Sequence, residues 1–270
     1  MTDTALAISL QAASAAERWL AIEKLTRTKS KIIDTNTLST LLTALADEHP
    51  FVRWQAGLAL AGQDEGRQKL VETLKNATPE ANLVSVAAAD ALAGNESPTA
   101  LEALIAALNS SNARLRQSAA EALAKQKDPA AIPHLIKTLN DSDPWVRRAA
   151  AYALGHLGNP DTARILVTCL QDKSVIVRRS AAYALGALRA QAAAPQLKIT
   201  LTDKDPLTRR NAAWALGRIG LPEAVPNLTR LLDDPVLGGT VAATAQQAIQ
   251  AITKPRWLQM ILGLFGRFQL

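Results

Sequence analysis

The stretch Asp203-Lys204-Asp205-Pro206-Leu207-Thr208-Arg209-Arg210-Asn211-Ala212-Ala213-Trp214-Ala215-Leu216-Gly217 decides the fold, because the chain repeats it at a fixed distance. Thirty-one residues upstream stands Asp172 with Val177-Arg178-Arg179-Ser180-Ala181-Ala182-Tyr183-Ala184-Leu185-Gly186. A further 31 residues back stands Asp141 with Val146-Arg147-Arg148-Ala149-Ala150-Ala151-Tyr152-Ala153-Leu154-Gly155. Leu115-Arg116-Gln117-Ser118-Ala119-Ala120-Glu121-Ala122-Leu123 extends the series without a gap. Val52-Arg53-Trp54-Gln55-Ala56 belongs to it as well, and Ser85 to Leu92 fits with the arginine lost. Repetition at one period is the mark of a stacked-repeat architecture and overrides local readings.

Each unit reads as two helices. The first carries leucines four apart (Leu135 and Leu139, Leu166 and Leu170, Leu197 and Leu201), one apolar stripe at helical spacing. Pro133, Pro195 and Pro226 fall near its start, where the missing N–H costs nothing. An Asp-rich turn follows, suited to capping the second helix and to its positive end. The second helix runs through the Arg-Arg-x-Ala-Ala segment and ends at or beyond Gly155, Gly186 and Gly217. Neither helix buries its apolar face alone, so the units must stack. Composition agrees: 48% of the 270 residues are hydrophobic but only 4% aromatic, and the excess is Ala and Leu, which suits many thin helix contacts.

Several function classes are excluded or left without material. The single cysteine, Cys169, permits neither a disulfide framework nor a cysteine-cluster metal site. It stands where neighbouring repeats have Thr138 and Thr200, which reads as a small buried side chain. The histidines, His49, His134 and His156, show no ligand spacing. No P-loop, dinucleotide fingerprint, nucleophile elbow or metal motif occurs, so no catalytic residue and no metal is expected. Met1-Thr2-Asp3-Thr4 lacks the basic start and apolar run of a secretory signal, and no run of about 18 apolar residues exists. A cytoplasmic protein is expected.

The pattern Leu-x-x-x-Leu-x-Asp-x-Asp-x-x-Val-Arg-x-x-Ala-x-x-Ala-Leu-Gly resembles the HEAT repeat, in the short form of phycobilisome-lyase-like (E/F-type) repeats. The resemblance covers roughly residues 36–252 and is strongest from 98 to 220. It implies an all-α, right-handed α-solenoid of about seven helical hairpins with capping helices at both ends. The expected organisation is N-terminal capping helices over 1–35, a solenoid over 36–253 and an amphipathic C-terminal helix over 254–270. The repeats fall at about 36–62, 65–94, 98–126, 130–158, 161–189, 192–220 and 223–252. As a signal of function the repeat is weak, because it serves many unrelated tasks.

The first arginine of each repeat (Arg53, Arg116, Arg147, Arg178, Arg209) invites a phosphate-binding reading. Asp47, Asp141, Asp172 and Asp203, however, stand six residues before four of them. Resemblance to HEAT units implies an Asp–Arg ladder between repeats, and a buried charge needs such a partner. The second arginine has no such assignment. Arg148, Arg179 and Arg210 are followed four residues on by Tyr152, Tyr183 and Trp214, and four further by His156, Ala187 and Arg218. Positions i, i+4 and i+8 form a strip about 80° wide along one helix. In HEAT-like solenoids the second helices line the concave face, so the strips are expected to form a groove patch of Arg148, Tyr152, His156, Arg179, Tyr183, Arg210, Trp214 and Arg218. Residues 130–220 hold 13 basic against 6 acidic residues, a net of +7, so the rest of the chain sums to −1 and the whole net charge of +6 sits around this patch.

The expected function is therefore a protein–protein interaction scaffold that holds an acidic partner in a basic, aromatic-bearing groove. The lyase resemblance implies an alternative: a bilin lyase or chaperone-like factor, in which arginines hold propionates and the rings stack on a tetrapyrrole. No cofactor is required by the first reading. Nucleic acid is disfavoured, since a single patch is basic and the acidic turns repel phosphates. Finally, Trp257, Ile261, Leu264, Phe265 and Phe268 share one side of the segment 255–270, opposite Arg256 and Arg267, when drawn at 100° per residue. That segment is expected to cap the last repeat or, alternatively, to dock on a partner or a membrane surface.

Overall fold

The Asp-rich turns close on themselves before any second helix begins. In four repeats an aspartate Oδ1 accepts the amide two residues on: Asp47 from His49 (2.8 Å), Asp141 from Asp143 (2.8 Å), Asp172 from Ser174 (2.7 Å) and Asp203 from Asp205 (2.8 Å). The next acid then caps the helix where one is present. Asp143 accepts from Trp145 N at 2.7 Å, and Asp205 accepts from both the amide and the hydroxyl of Thr208 at 2.7 Å. These bonds satisfy amides that a helix start leaves orphaned.

The structure is a computed structural model, which describes residues 14–27, 35–77, 83–233 and 239–254. Among the described residues every regular element is helical. The chain divides into two compact units, Met1–Ala153 and Leu154–Leu270. In unit 1 the helices are α1 (Ala15–Arg27), α2 (Thr35–Ala44), α3 (Pro50–Ala61), α4 (Asp64–Lys75), α5 (Leu83–Ala91), α6 (Pro98–Ala107), α7 (Ala113–Gln126) and α8 (Ile132–Thr138). Helix α9 (Pro144–Leu157) runs through the division. Unit 2 continues with α10 (Ala163–Cys169), α11 (Val175–Ala187), α12 (Ala194–Thr200), α13 (Pro206–Ile219), α14 (Val225–Thr229) and α15 (Thr240–Thr253). Within unit 1 the hairpins stack second helix on second helix, α1 on α3, α3 on α5 and α5 on α7. In unit 2, α13 lies between α11 and α15. This is the α-solenoid mode of stacking, in which each hairpin packs on its neighbours.

The two proline phases have separate jobs. Pro129, Pro160 and Pro222 open a short 3-10 turn, capped by Asp128 and Asn159 in the first two cases. Pro133, Pro195 and Pro226 then occupy the first turn of the α-helix that follows. The leucine stripe forms the inter-layer core: Leu135, Leu166 and Leu197 are fully buried, with Leu139, Leu170 and Leu201 nearly so. Burying one such side chain contributes about 1.5–3 kcal/mol. Cys169 is buried, and its thiol lies 3.7 Å from the Ile165 carbonyl. Thr138 and Thr200 bond their own i−4 carbonyls at 2.9 Å.

Gly155, Gly186 and Gly217 lie inside their helices, which run on to Leu157, Ala187 and Ile219. Their role is close approach rather than termination. A Cβ on Gly155 would stand 2.7 Å from Ala184 Cα, and one on Gly217 would stand 2.8 Å from Ala248 Cα. The true left-handed end is Gly220, at φ +79°. The stacked layer also begins earlier than residue 36. Helix α1 packs on α3 as the second helices do, and Arg18 within it forks onto Asp47 at 2.7 and 2.9 Å. The segment 255–270, with Trp257, Ile261, Leu264, Phe265 and Phe268, lies outside the described residues.

Candidate functional site

The first arginines are structural, and their geometry shows how the ladder works. Each guanidinium caps its own turn: Nη1 donates to the carbonyls six and five residues back. The distances are 2.7 and 2.9 Å for Arg53, 2.8 and 3.1 Å for Arg116 and for Arg147, and 2.8 and 3.3 Å for Arg209. Arg178 donates likewise to Asp172 and Lys173. In Arg116 and Arg178 the rest of the fork reaches the aspartate of the next repeat. Arg116 holds Asp141 at 2.7 and 2.8 Å, and Arg178 holds Asp203 at 2.7 and 3.0 Å. Burial pushes these carboxyls up, but the arginine hydrogen bond and the turn amide outweigh it, so Asp141 and Asp203 both lie below the usual carboxylate range. Arg18 was not foreseen as a ladder member. Its signal is the match of Arg18-Trp19-x-Ala21 to Arg53-Trp54-x-Ala56.

The second arginines do not form three equal, open charges. Arg148 in unit 1 reaches back to Glu121 at 2.8 Å, and its Cζ lies 6.0 Å from the Tyr152 ring centre. Arg179 in unit 2 reaches forward to Asp205, forking onto it at 2.7 and 2.5 Å. The Arg179 bond first, and the Thr208 hydroxyl and amide after it, hold the Asp205 carboxyl well below the usual range against its burial. Glu121 and Asp205, from adjacent repeats, supply counter-charges that a search along each helix could not find. Arg210 is half-buried and makes no ion pair among the described residues.

The aromatic positions do come together in unit 2. His156 and Tyr183 lie 6.3 Å apart between ring centres, tilted by 30°. Tyr183 and Trp214 stack at 5.0 Å, within 7° of parallel. Arg218 covers the Trp214 ring, its Cζ 5.4 Å from the centre. The row His156–Tyr183–Trp214–Arg218 thus crosses the ends of three successive second helices. Gly186 makes it possible: a Cβ there would stand 2.6 Å from Trp214 Cζ3, so the indole lies in the space a side chain would take. Stacked ring pairs contribute about 0.5–1.5 kcal/mol beyond their burial, and a cation over a ring about 0.5–1 kcal/mol at an exposed site. The whole excess charge belongs to this unit, since residues 154–270 hold 14 basic and 7 acidic residues, whereas 1–153 sum to −1.

Among the described residues no group of three His, Cys, Asp or Glu side chains is placed to hold a metal ion, and no helix is long and apolar enough to cross a membrane.

The sequence profile described as HEAT repeats matches residues 67–141, 101–185, 132–202 and 170–250, which together span most of the chain. No curated protein matches the sequence. Among solved structures, the X-ray structure of YibA from Escherichia coli is similar over 94% of this chain and 93% of its own. The TM-score is 0.65 and the identity 20%. Human deoxyhypusine hydroxylase in complex with glycerol aligns over 93% of this chain and 95% of its own, at a TM-score of 0.40 and 23% identity. The complex of CpcE and CpcF of phycocyanin lyase from Nostoc aligns over the same shares, at 0.43 and 22%.

Proposed function

The chain belongs to the HEAT-repeat family, and from that premise we propose that it is a binding protein whose unit 2 takes an acidic segment of a partner protein. The observation that carries this is the continuous row of His156, Tyr183, Trp214 and Arg218 on the unit that holds the net positive charge. Aromatic rings and arginines dominate binding energy at protein interfaces, and like-signed surface charge steers an oppositely charged partner. The arginines divide their work. Arg179 is spent on Asp205 and holds the scaffold, so contact with the partner falls to Arg210, Arg218 and the exposed edge of Trp214. Within unit 1, Arg148 lies over the Tyr152 ring.

The test is selection of short random peptides against the full chain. Enrichment in Asp and Glu is expected, and the best peptide should lose at least about tenfold in affinity, close to 1.4 kcal/mol, in Arg210→Glu and in Trp214→Ala. Binding should also weaken with added salt. A selection without acidic bias, or an Arg210→Glu protein that binds as the parent does, refutes the reading. If a propionate-bearing tetrapyrrole is the occupant instead, phycocyanobilin mixed with the protein shifts its absorption. Tyr183 and Trp214 already stack on each other, so such a pigment must lie on an outer ring face rather than between them.

A further inference from the structure

The Asp–Arg ladder is interrupted near its start. Asp141, Asp172, Asp203 and Asp234 stand 25 residues after Arg116, Arg147, Arg178 and Arg209, but 25 residues after Arg53 stands Thr78. The same hairpin has Ser85 where the others have their first arginine. Arg53 bears the consequence. Its Nη1 donates to the carbonyls of Asp47 and Glu48, as its counterparts do to theirs. Its Nε and Nη2, the pair that grips a carboxylate in Arg116 and Arg178, meet no acceptor among the described residues. The Asp47 carboxylate, from the same turn, is already held by Arg18 at 2.7 and 2.9 Å.

Arg53 also lines a cleft with apolar walls. Trp54 and Leu58 on α3 and Leu83 on α5 are 56%, 45% and 49% exposed, and with Arg53 they enclose about 200 Å³. Close packing joins the two helices, since a Cβ on Gly57 would stand 2.8 Å from Ala91 Cβ. Asp90 and Arg114 are the other charged residues of the lining. Their opposite charges offset each other, which leaves the cleft with the excess charge of Arg53. An exposed apolar patch beside an unspent cation suits an occupant that is apolar in body and anionic at one point.

We propose that this cleft binds a segment of a partner protein in which an Asp or Glu lies between large apolar residues. The carboxylate takes on the Arg53 fork the place that Asp141 takes on Arg116, and the apolar neighbours cover Trp54, Leu58 and Leu83. A guanidinium fork matches a carboxylate in two parallel bonds, which neither a neutral amide nor a lysine reproduces. Trp and Arg are also the side chains that dominate binding energy at protein interfaces. The cleft lies wholly in unit 1 and shares no residue with the aromatic row of unit 2, so either reading can fail alone.

The experiment is an NMR titration of the full chain carrying isotope-labelled tryptophan, with the Trp54 indole signal assigned through Trp54→Phe. The probe is acetyl-Phe-Asp-Leu-amide. One control, acetyl-Phe-Asn-Leu-amide, removes the charge, and another, acetyl-Gly-Asp-Gly-amide, removes the apolar flanks. The probe should move the Trp54 signal, and both controls should bind at least about tenfold more weakly. Arg53→Lys should lose the probe by a similar factor, with helix content checked by circular dichroism. If that variant loses helix content, Thr78→Asp replaces it: an acid at the ladder position should occupy the Arg53 fork and exclude the probe. Arg210→Glu, in unit 2, should bind the probe as the parent does. An unmoved Trp54 signal overturns the proposal, as does a control peptide that binds as well as the probe. So does a folded Arg53→Lys or Thr78→Asp protein that binds as the parent does, or a probe lost with Arg210. Glu80 stands two residues past Thr78, both outside the described residues. A rise in affinity of about tenfold in Glu80→Gln would make Glu80 the fork's own partner and would likewise overturn the proposal.

Discussion

Replacing Gly186 by Ala tests the packing and the aromatic row together. Residue 186 lies in the last turn of α11, where Ala is the better helix former by up to about 1 kcal/mol. On local propensity alone the substitution should stabilise the protein. The structure sets against this a Cβ standing 2.6 Å from Trp214 Cζ3, 2.7 Å from Ala215 Cα and 2.8 Å from Ala215 Cβ. The indole can swing away, but the Ala215 backbone can yield only by parting α11 from α13. Overpacking of that kind costs about 1–3 kcal/mol, and losing the Tyr183–Trp214 stack adds about 0.5–1.5 kcal/mol. The net expectation is a loss of about 1–3 kcal/mol, or about 2–10 °C in the thermal midpoint followed by circular dichroism. Gly62→Ala is the internal control. Its nearest neighbours would be carbonyl oxygens at 3.5 Å, so that variant should melt at or above the parental temperature. A Gly186→Ala protein that melts no lower than the parent would refute the account of Gly186 as the seat of Trp214.

Three further outcomes follow from the ion pairs. Asp203→Ala removes the partner of Arg178 from a pair whose side chains are 18% and 12% exposed, and urea titration should show a loss of about 1–3 kcal/mol, tempered by solvent screening. Acid should act through the same groups. Asp141, Asp203 and Asp205 are held below the unfolded carboxylate value of about 3.9, so their stabilisation is present above that pH and disappears as pH falls through their lower folded values. Melting midpoints measured against pH should therefore drop below about pH 4, and Asp205→Asn should blunt the drop. The adjacent-repeat arginines should part company: Arg179→Ala should destabilise by about 1–2 kcal/mol, whereas Arg210→Ala should stay within about 0.5 kcal/mol. Equal losses from the two would contradict the division between scaffold and contact residues.

Most of the fold was legible because it is written in local periodicities. Leucines four apart predict the first helix, the Asp turns and prolines predict its bounds, and the 31-residue translation predicts stacking. Arg116 and Arg178 hold aspartates of the following repeat, a pairing between repeats that the spacing along one helix does not specify. The reading of Gly155, Gly186 and Gly217 was weaker. A glycine near a helix end looks the same in sequence whether it terminates the helix or admits a neighbour. Only the distance to Ala184, Trp214 or Ala248 separates the two roles.

By itself the sequence determined the repeating hairpin, the ladder arginines and the alignment of Tyr152, Tyr183 and Trp214 at one repeat position. Each of these follows from spacing along one helix or from a fixed translation between helices. Tertiary structure alone decided which carboxylate each second arginine meets. Arg148 reaches back to Glu121 and Arg179 forward to Asp205, from the same position in consecutive repeats. It also decided that Tyr183 and Trp214 stack on each other over Gly186, and that Trp54 and Leu58 stay open to solvent while the alanines beside them are buried. The physical reason is common to all three. Contacts between helices depend on side-chain reach across a gap whose width is set by the smallest residues facing it, and no period along the chain encodes that width.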